Sequence, residues 1–128
     1  MKTSFTLIFL LFFKITFASD VIDEVSSAFK SGNSKEISKY FSSTVELAIL
    51  DNEEIYSSNQ AELILKDFLV KHPPLSIKIV HKVVSNPNYK FGVIILNSSK
   101  GVFRVSFELK NAGGSFNITQ IRIEENKE

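Results

Sequence analysis

The sequence predicts an α+β domain in which a helical N-terminal half covers one face of a bent, mainly antiparallel sheet. Three observations carry that expectation. Apolar residues recur at helical spacing in most of the chain before residue 72, and they alternate with polar ones after residue 75. The connections between the alternating runs are also too short for parallel crossovers, which leaves a meander.

The chain opens with "MKTSFTLIFLLFFKITFASD". Lys2 supplies a positive start, Phe5 to Phe13 is almost wholly apolar, and Thr16 and Ala18 are small residues placed as a signal peptidase needs them. Residues 1–18 are therefore expected to be a cleaved signal peptide, and residues 19–128 a single exported domain, periplasmic or secreted. Lys14 interrupts an apolar run already shorter than the roughly 20 residues that span a bilayer, so no stable membrane anchor is expected after cleavage. Lys2 and Lys14 leave with the leader, which turns 15 basic against 14 acidic residues into a mature charge near −1. Nothing in that balance suggests a nucleic-acid partner. With zero cysteines, an exported fold must be held by packing alone.

Asp20 is placed to cap a first helix whose apolar positions are Val21, Val25, Ala28 and Phe29. Gly32 suits its left-handed end, and Asn33 or Ser34 can start a second, short helix with Ile37, Tyr40 and Phe41 on one face. In "TVELAIL" the period changes to two, with Val45, Leu47 and Ile49 pointing one way, before the turn-prone "DNEE". Ser57 and Gln60 form a capping-box pattern at the head of a longer helix with the stripe Ala61, Ile64, Leu65, Phe68 and Leu69. Pro73 and Pro74 stop it. Strands follow over 75–85, 89–97, 101–109 and 116–124, separated by "SNPN", "NSSK" and "NAGG".

The words "VELAIL", "IYSSNQAELILKDFL", "GVFRVSFELK" and "ITQIRIEE" in this order resemble a family of small exported Bacteroidetes proteins of unknown function. That family lies within the nuclear transport factor 2-like superfamily, and the resemblance spans roughly residues 20–125. It implies a cone-shaped barrel, a sheet wrapped round a long helix with a cavity inside, and homodimers formed through the outer face of the sheet. It implies no reaction, because the superfamily hosts isomerases, dehydratases, hydrolases, cyclases and plain binding modules. Enzymatic members place Asp, His, Tyr or Arg inside the cone; no such motif is recognisable here, and no catalytic residue is expected.

Five residues are candidates for ligand binding. If the "NAGG" hairpin pairs Ser106 with Gln120, Arg104 faces Arg122, and like charges stand across the ladder. Such a pair suits an anion or carboxylate; equally, it suits a wetted or dimer-facing surface, and the outside is the expectation. His81 shares parity with Leu75, Ile77, Ile79 and Val83, which puts it on the apolar face, where it is either a general acid–base or a satisfied core-edge histidine. Tyr40 and Tyr56 either line a pocket or bury their rings at a core edge. The two histidines and the spacing of "DNEE" fit neither a zinc nor a calcium site, and no cofactor is expected. The functional expectation is a non-catalytic domain that binds a small apolar or anionic ligand or a second copy of itself. The alternative is an isomerase, dehydratase or cyclase that uses the cone cavity, with His81 and an acid or arginine inside it.

Overall fold

Asp20 opens the first helix by accepting a hydrogen bond from the Asp23 amide at 2.9 Å. The structure, a computed structural model, describes residues 20–127, and the expected leader lies outside them. Helix α1 (Val21–Ser31) ends at Gly32, which takes a φ of 68° as its C-cap. Asn33 then caps α2 (Ser34–Ser38), accepting from the Glu36 amide at 3.1 Å. This helix stops before Tyr40 and Phe41, which the spacing had placed on its face. The Tyr40 carbonyl instead accepts the Ile118 amide at 2.6 Å, and Phe41 already belongs to strand β1 (Phe41–Ile49).

"DNEE" is only partly a turn. The chain reverses at Leu50 and Asp51, and β2 (Asn52–Ser57) pairs back on β1 with Ala48 opposite Glu53 and Val45 opposite Tyr56. A short, charged strand of this kind is tolerated because it forms the free edge of the sheet. Ser57 caps α3 (Ser58–Lys71), accepting the Gln60 amide at 3.3 Å. Ala61, Leu65, Phe68 and Leu69 of the anticipated stripe are buried and Ile64 packs against them.

Four strands complete the domain: β3 (Pro74–Asn86), β4 (Tyr89–Ser98), β5 (Gly101–Ala112) and β6 (Ser115–Glu125). They form the expected meander. The sheet order is β2-β1-β6-β5-β4-β3, and β1 runs parallel to β6, so the sheet is mixed at one junction. The helices cover its inner face, where Phe29, Leu65, Ile94, Phe107, Ile121 and Ile123 are fully buried.

The resemblance implies a cavity here, but the inner face is filled. Phe29 and Phe107 stack with ring centroids 6.1 Å apart, and Phe68 meets Phe103 edge-on at 5.1 Å. Gly92 explains how the rings fit: a Cβ at that position would come within 2.7 Å of Phe107 Cζ and 3.0 Å of Ile22. The missing side chain on β4 is the space that Phe107 and α1 occupy. Two surface depressions lie away from this packed face. One, ≈ 580 Å³, borders Leu50, Asp51 and Glu124; another, ≈ 520 Å³, lies between the α1–α2 turn and α3.

Candidate functional site: the outer sheet face

Two irregularities decide which residues reach the outer face. In β3 the register shifts between Ile79 and His81, so Val80 is an extra residue and alternation restarts beyond it. Ile77 and Ile79 stand opposite the buried Leu96 and Ile94, on the inner face as expected. His81 instead stands opposite Val93, on the outer face, and is exposed. The expectation that His81 shares the apolar inner face is therefore corrected. A second shift, at the start of β3, leaves Leu75 67% exposed, so it too departs from the parity reading.

The same bulge brings Lys82 to the helix side. There it binds Asp20 Oδ2 at 3.0 Å and Asp23 Oδ1 at 2.7 Å, clasping the start of α1 to the sheet. Burial alone would raise the Asp20 pKa, but the Asp23 amide and Lys82 outweigh it and hold that carboxyl below its ordinary value.

The β5–β6 hairpin carries the second irregularity. Its turn is Gly113–Gly114, and the register shifts after Glu108, with Thr119 as the added residue on β6. Arg104 therefore faces Glu124, and Ser106 faces Arg122. The expected Arg104–Arg122 pair does not form, because the turn and bulge together move β6 by two positions. The sorting of faces survives, since a shift of two preserves parity. Thr119 donates to Glu108 Oε1 at 2.7 Å, which fixes the bulge to the neighbouring strand.

With these registers, three rows of side chains cross the outer face. The first is Lys78, Ile95, Arg104 and Glu124. The second is His81, Val93, Ser106, Arg122, Ala48 and Glu53. Val83, Phe91, Glu108, Gln120, Glu46 and Ile55 make the third. Chemically the face is divided. On β3–β4 it is apolar and cationic, with Arg104 next on β5. On β6–β1–β2 it is acidic, with Glu46, Glu53 and Glu124 round Arg122.

Arg122 reaches Glu53 at 3.7 Å and Glu124 at 3.9 Å, long contacts between half-exposed groups. Glu46 lies beside Glu53, and a hydrogen bond between the two side chains raises its pKa. The charges of Glu53 and Glu108 add to that rise, and Arg122 opposes it. Tyr89, on the same face at the end of β4, has its hydroxyl pKa raised by burial and by Glu108.

Of the five sequence candidates, His81, Arg104 and Arg122 share this face, whereas the tyrosines do not. Tyr40 is half-buried between α1 and β1 and donates to Glu24 Oε1 at 2.9 Å; burial, then Glu24, raises its pKa. Tyr56 packs against the core from β2. Sequence reasoning missed Glu46 and Glu53 as members of the site. Alternation in "VELAIL" did place Glu46 opposite in facing to Leu47, but reading residues 51–54 as a turn hid the strand that brings Glu53 beside it. Among the described residues, no cluster of three His, Cys, Asp or Glu could hold a metal ion, and no helix is long and apolar enough to cross a membrane.

A six-stranded mixed sheet folded over N-terminal helices, with its polar chemistry outside, is a nuclear transport factor 2-like architecture. A protein of that type and of unknown function from Shewanella baltica superposes with a TM-score of 0.64 at 13% identity, covering 84% of this chain and 90% of its own. The family itself is narrower. Residues 22–124 match "Domain of unknown function (DUF4783)", and the chain belongs to that family. A DUF4783 protein from Bacteroides uniformis is 30% identical with a TM-score of 0.81, covering 85% of this chain and 100% of its own. Another, from Bacteroides ovatus, is 28% identical with a TM-score of 0.78, covering 82% and 94%. No curated protein matches the chain.

Proposed function

We propose that this DUF4783 domain is an exported, non-catalytic binding module that works through its outer sheet face, with a second copy of itself as the partner. One observation carries the reading. His81, Arg104 and Arg122 all stand outside, while the interior an enzyme of this fold would use is filled by phenylalanine and aliphatic side chains. The outer face is also complementary to itself. Under a two-fold axis, the apolar, cationic half bearing Lys78, Phe91, Ile95 and Arg104 meets the acidic half bearing Glu46, Glu53 and Glu124. Phe91 and Ile95, both partly exposed, supply an apolar centre, and the charges fix the register.

Sedimentation equilibrium of residues 19–128 tests the pairing. The wild type is expected to dimerise at micromolar concentration, whereas Arg104→Glu and Glu53→Arg are each expected to remain monomeric. Mixing the two variants should restore a heterodimer, because each reversed charge then meets its complement. A wild type that stays monomeric up to the highest soluble concentration overturns self-pairing, and failure of the mixture to associate overturns the proposed alignment. Native mass spectrometry on the same samples reports any retained apolar or anionic ligand.

A further inference from the structure

We propose that the depression between the α1–α2 turn and α3 binds a free anionic amphiphile, its carboxylate head held by Lys35 and Lys66 and its alkyl chain laid along Leu63 and Val70. The site lies on the helix side of the sheet, away from the outer face, and stands independently of the self-pairing reading. Its apolar wall comes from α3. Ala61, Leu65, Phe68 and Leu69 turn into the core, whereas Leu63 and Val70 lie off that stripe and are 60% and 67% exposed. They are two helical turns apart, about 10 Å, and Lys66 stands between them on the same side of the helix. The hollow beside them is ≈ 520 Å³, a volume in the range of small-molecule sites.

The opposite wall is the α1–α2 turn, and its polar side chains are already engaged. Ser31 Oγ donates to the Ala28 carbonyl at 3.0 Å, and Asn33 Oδ1 accepts from the Glu36 amide at 3.1 Å. Ser34, 6% exposed, donates to Glu62 Oε2 at 3.1 Å and so ties this wall to α3. Lys35 and Lys66 also line the hollow, and neither forms an ion pair among the described residues, while Glu36 and Asp67 pair with Lys39 and Lys71. The groups left unengaged are therefore two ammoniums and two aliphatic side chains. Glu62 is the one carboxylate in the lining, so the two lysines leave a single net positive charge, the complement of one carboxylate head. The depression beside Leu50 repels the same ligand, because Asp51, Glu124 and Glu125 outnumber Lys127 there. A bilayer fits less well than a free amphiphile. The site is a hollow rather than a prominence, and seating it on lipid would strip water from Glu62.

Decanoate, titrated into isotope-labelled residues 19–128 and followed by amide NMR, tests the site. It is expected to give saturable shifts at Gly32, Ser34, Lys35, Leu63 and Lys66, with a dissociation constant on the order of 1 mM. Lys35→Glu, Lys66→Glu and Leu63→Ser should each weaken binding about fivefold or more. Lys71→Glu and Leu75→Ser make equal changes at exposed positions outside the hollow and should leave binding within about twofold of wild type. Decyltrimethylammonium has the same chain with the opposite charge, and acetate has the head without the chain; neither should saturate over the same concentrations. Absence of saturable shifts with decanoate overturns the proposal. So does equal binding of decyltrimethylammonium or acetate, which would make chain or charge alone the cause. Shifts centred on Ile95 and Arg104 overturn it by moving the ligand to the outer sheet face. Binding to vesicles of phosphatidylcholine and phosphatidylglycerol without a response to decanoate overturns it in favour of a bilayer. Loss of wild-type self-association in Leu63→Ser, read by sedimentation equilibrium, overturns it in favour of a second copy. A wild type that stays monomeric yet binds decanoate at these residues overturns self-pairing and leaves this site standing.

Discussion

The inner and outer faces of the sheet are made from the same strands and follow different rules. Inside, Phe103, Val105, Phe107, Ile121 and Ile123 are at most 4% exposed, and the rings fit because Gly92 leaves room for them. Outside, the alternate residues Arg104, Ser106, Arg122 and Glu124 keep contact with water, and Arg122 meets Glu53 and Glu124 in long, half-exposed charge pairs. Volume specifies the first face and charge the second. A substitution should therefore cost most where it changes volume inside, and should alter association more than stability where it changes charge outside.

Phe107→Ala tests the inner rule with the largest effect. It removes a fully buried ring stacked on Phe29 and leaves a void that the closely packed strands cannot collapse. The expected loss is about 3–5 kcal/mol in urea unfolding. A loss near that of a surface substitution would mean that the cone interior is loosely filled and that a cavity remains usable.

A middle case lies at the clasp between α1 and the sheet. Asp20→Ala removes the cap accepted from Asp23 and a partner of Lys82, and should cost about 1 kcal/mol. The pH dependence has a definite sign. The Asp20 carboxyl is held below its unfolded value, so its contribution is complete above that value and is lost as pH falls through the folded one. Acid unfolding curves of wild type and Asp20→Ala should accordingly converge below about pH 3. Parallel curves down to that point would show that the clasp contributes nothing through its charge.

Parity made most of the inner face legible in advance. "GVFRVSFELK" and "TQIRIEE" assign Phe103, Val105, Phe107, Ile121 and Ile123 to one side by alternation alone, and the Asp20, Gly32, Asn33 and Ser57 caps follow from local hydrogen-bond needs. Register was not legible, because it depends on extra residues that no local pattern marks. Val80 and Thr119 are ordinary β-branched strand residues, yet one turns His81 outward and the other sets Arg104 opposite Glu124. The strand Asn52–Ser57 was hidden for a related reason: its acidic, turn-prone start forms a ladder only because β1 is there to pair with it. The candidate site was thus half visible, its arginines from composition and its acidic half only after pairing.

Arg122→Gln gives the smallest expected change in stability and sharpens the outer rule. Its contacts to Glu53 and Glu124 are 3.7 Å and 3.9 Å between groups that are 41–53% exposed, so screening by water leaves little net attraction. Unfolding free energy should move by no more than about 0.5 kcal/mol. The local titration should respond far more clearly. Arg122 is the cation that opposes the raised pKa of Glu46, so its removal should push Glu46 higher still, read as an upward shift of its carboxyl resonance in an NMR titration. An unchanged Glu46 titration would mean that Arg122 is too well solvated to act on it. A stability loss comparable to that of Phe107→Ala would mean that the outer face, like the inner one, is specified by packing.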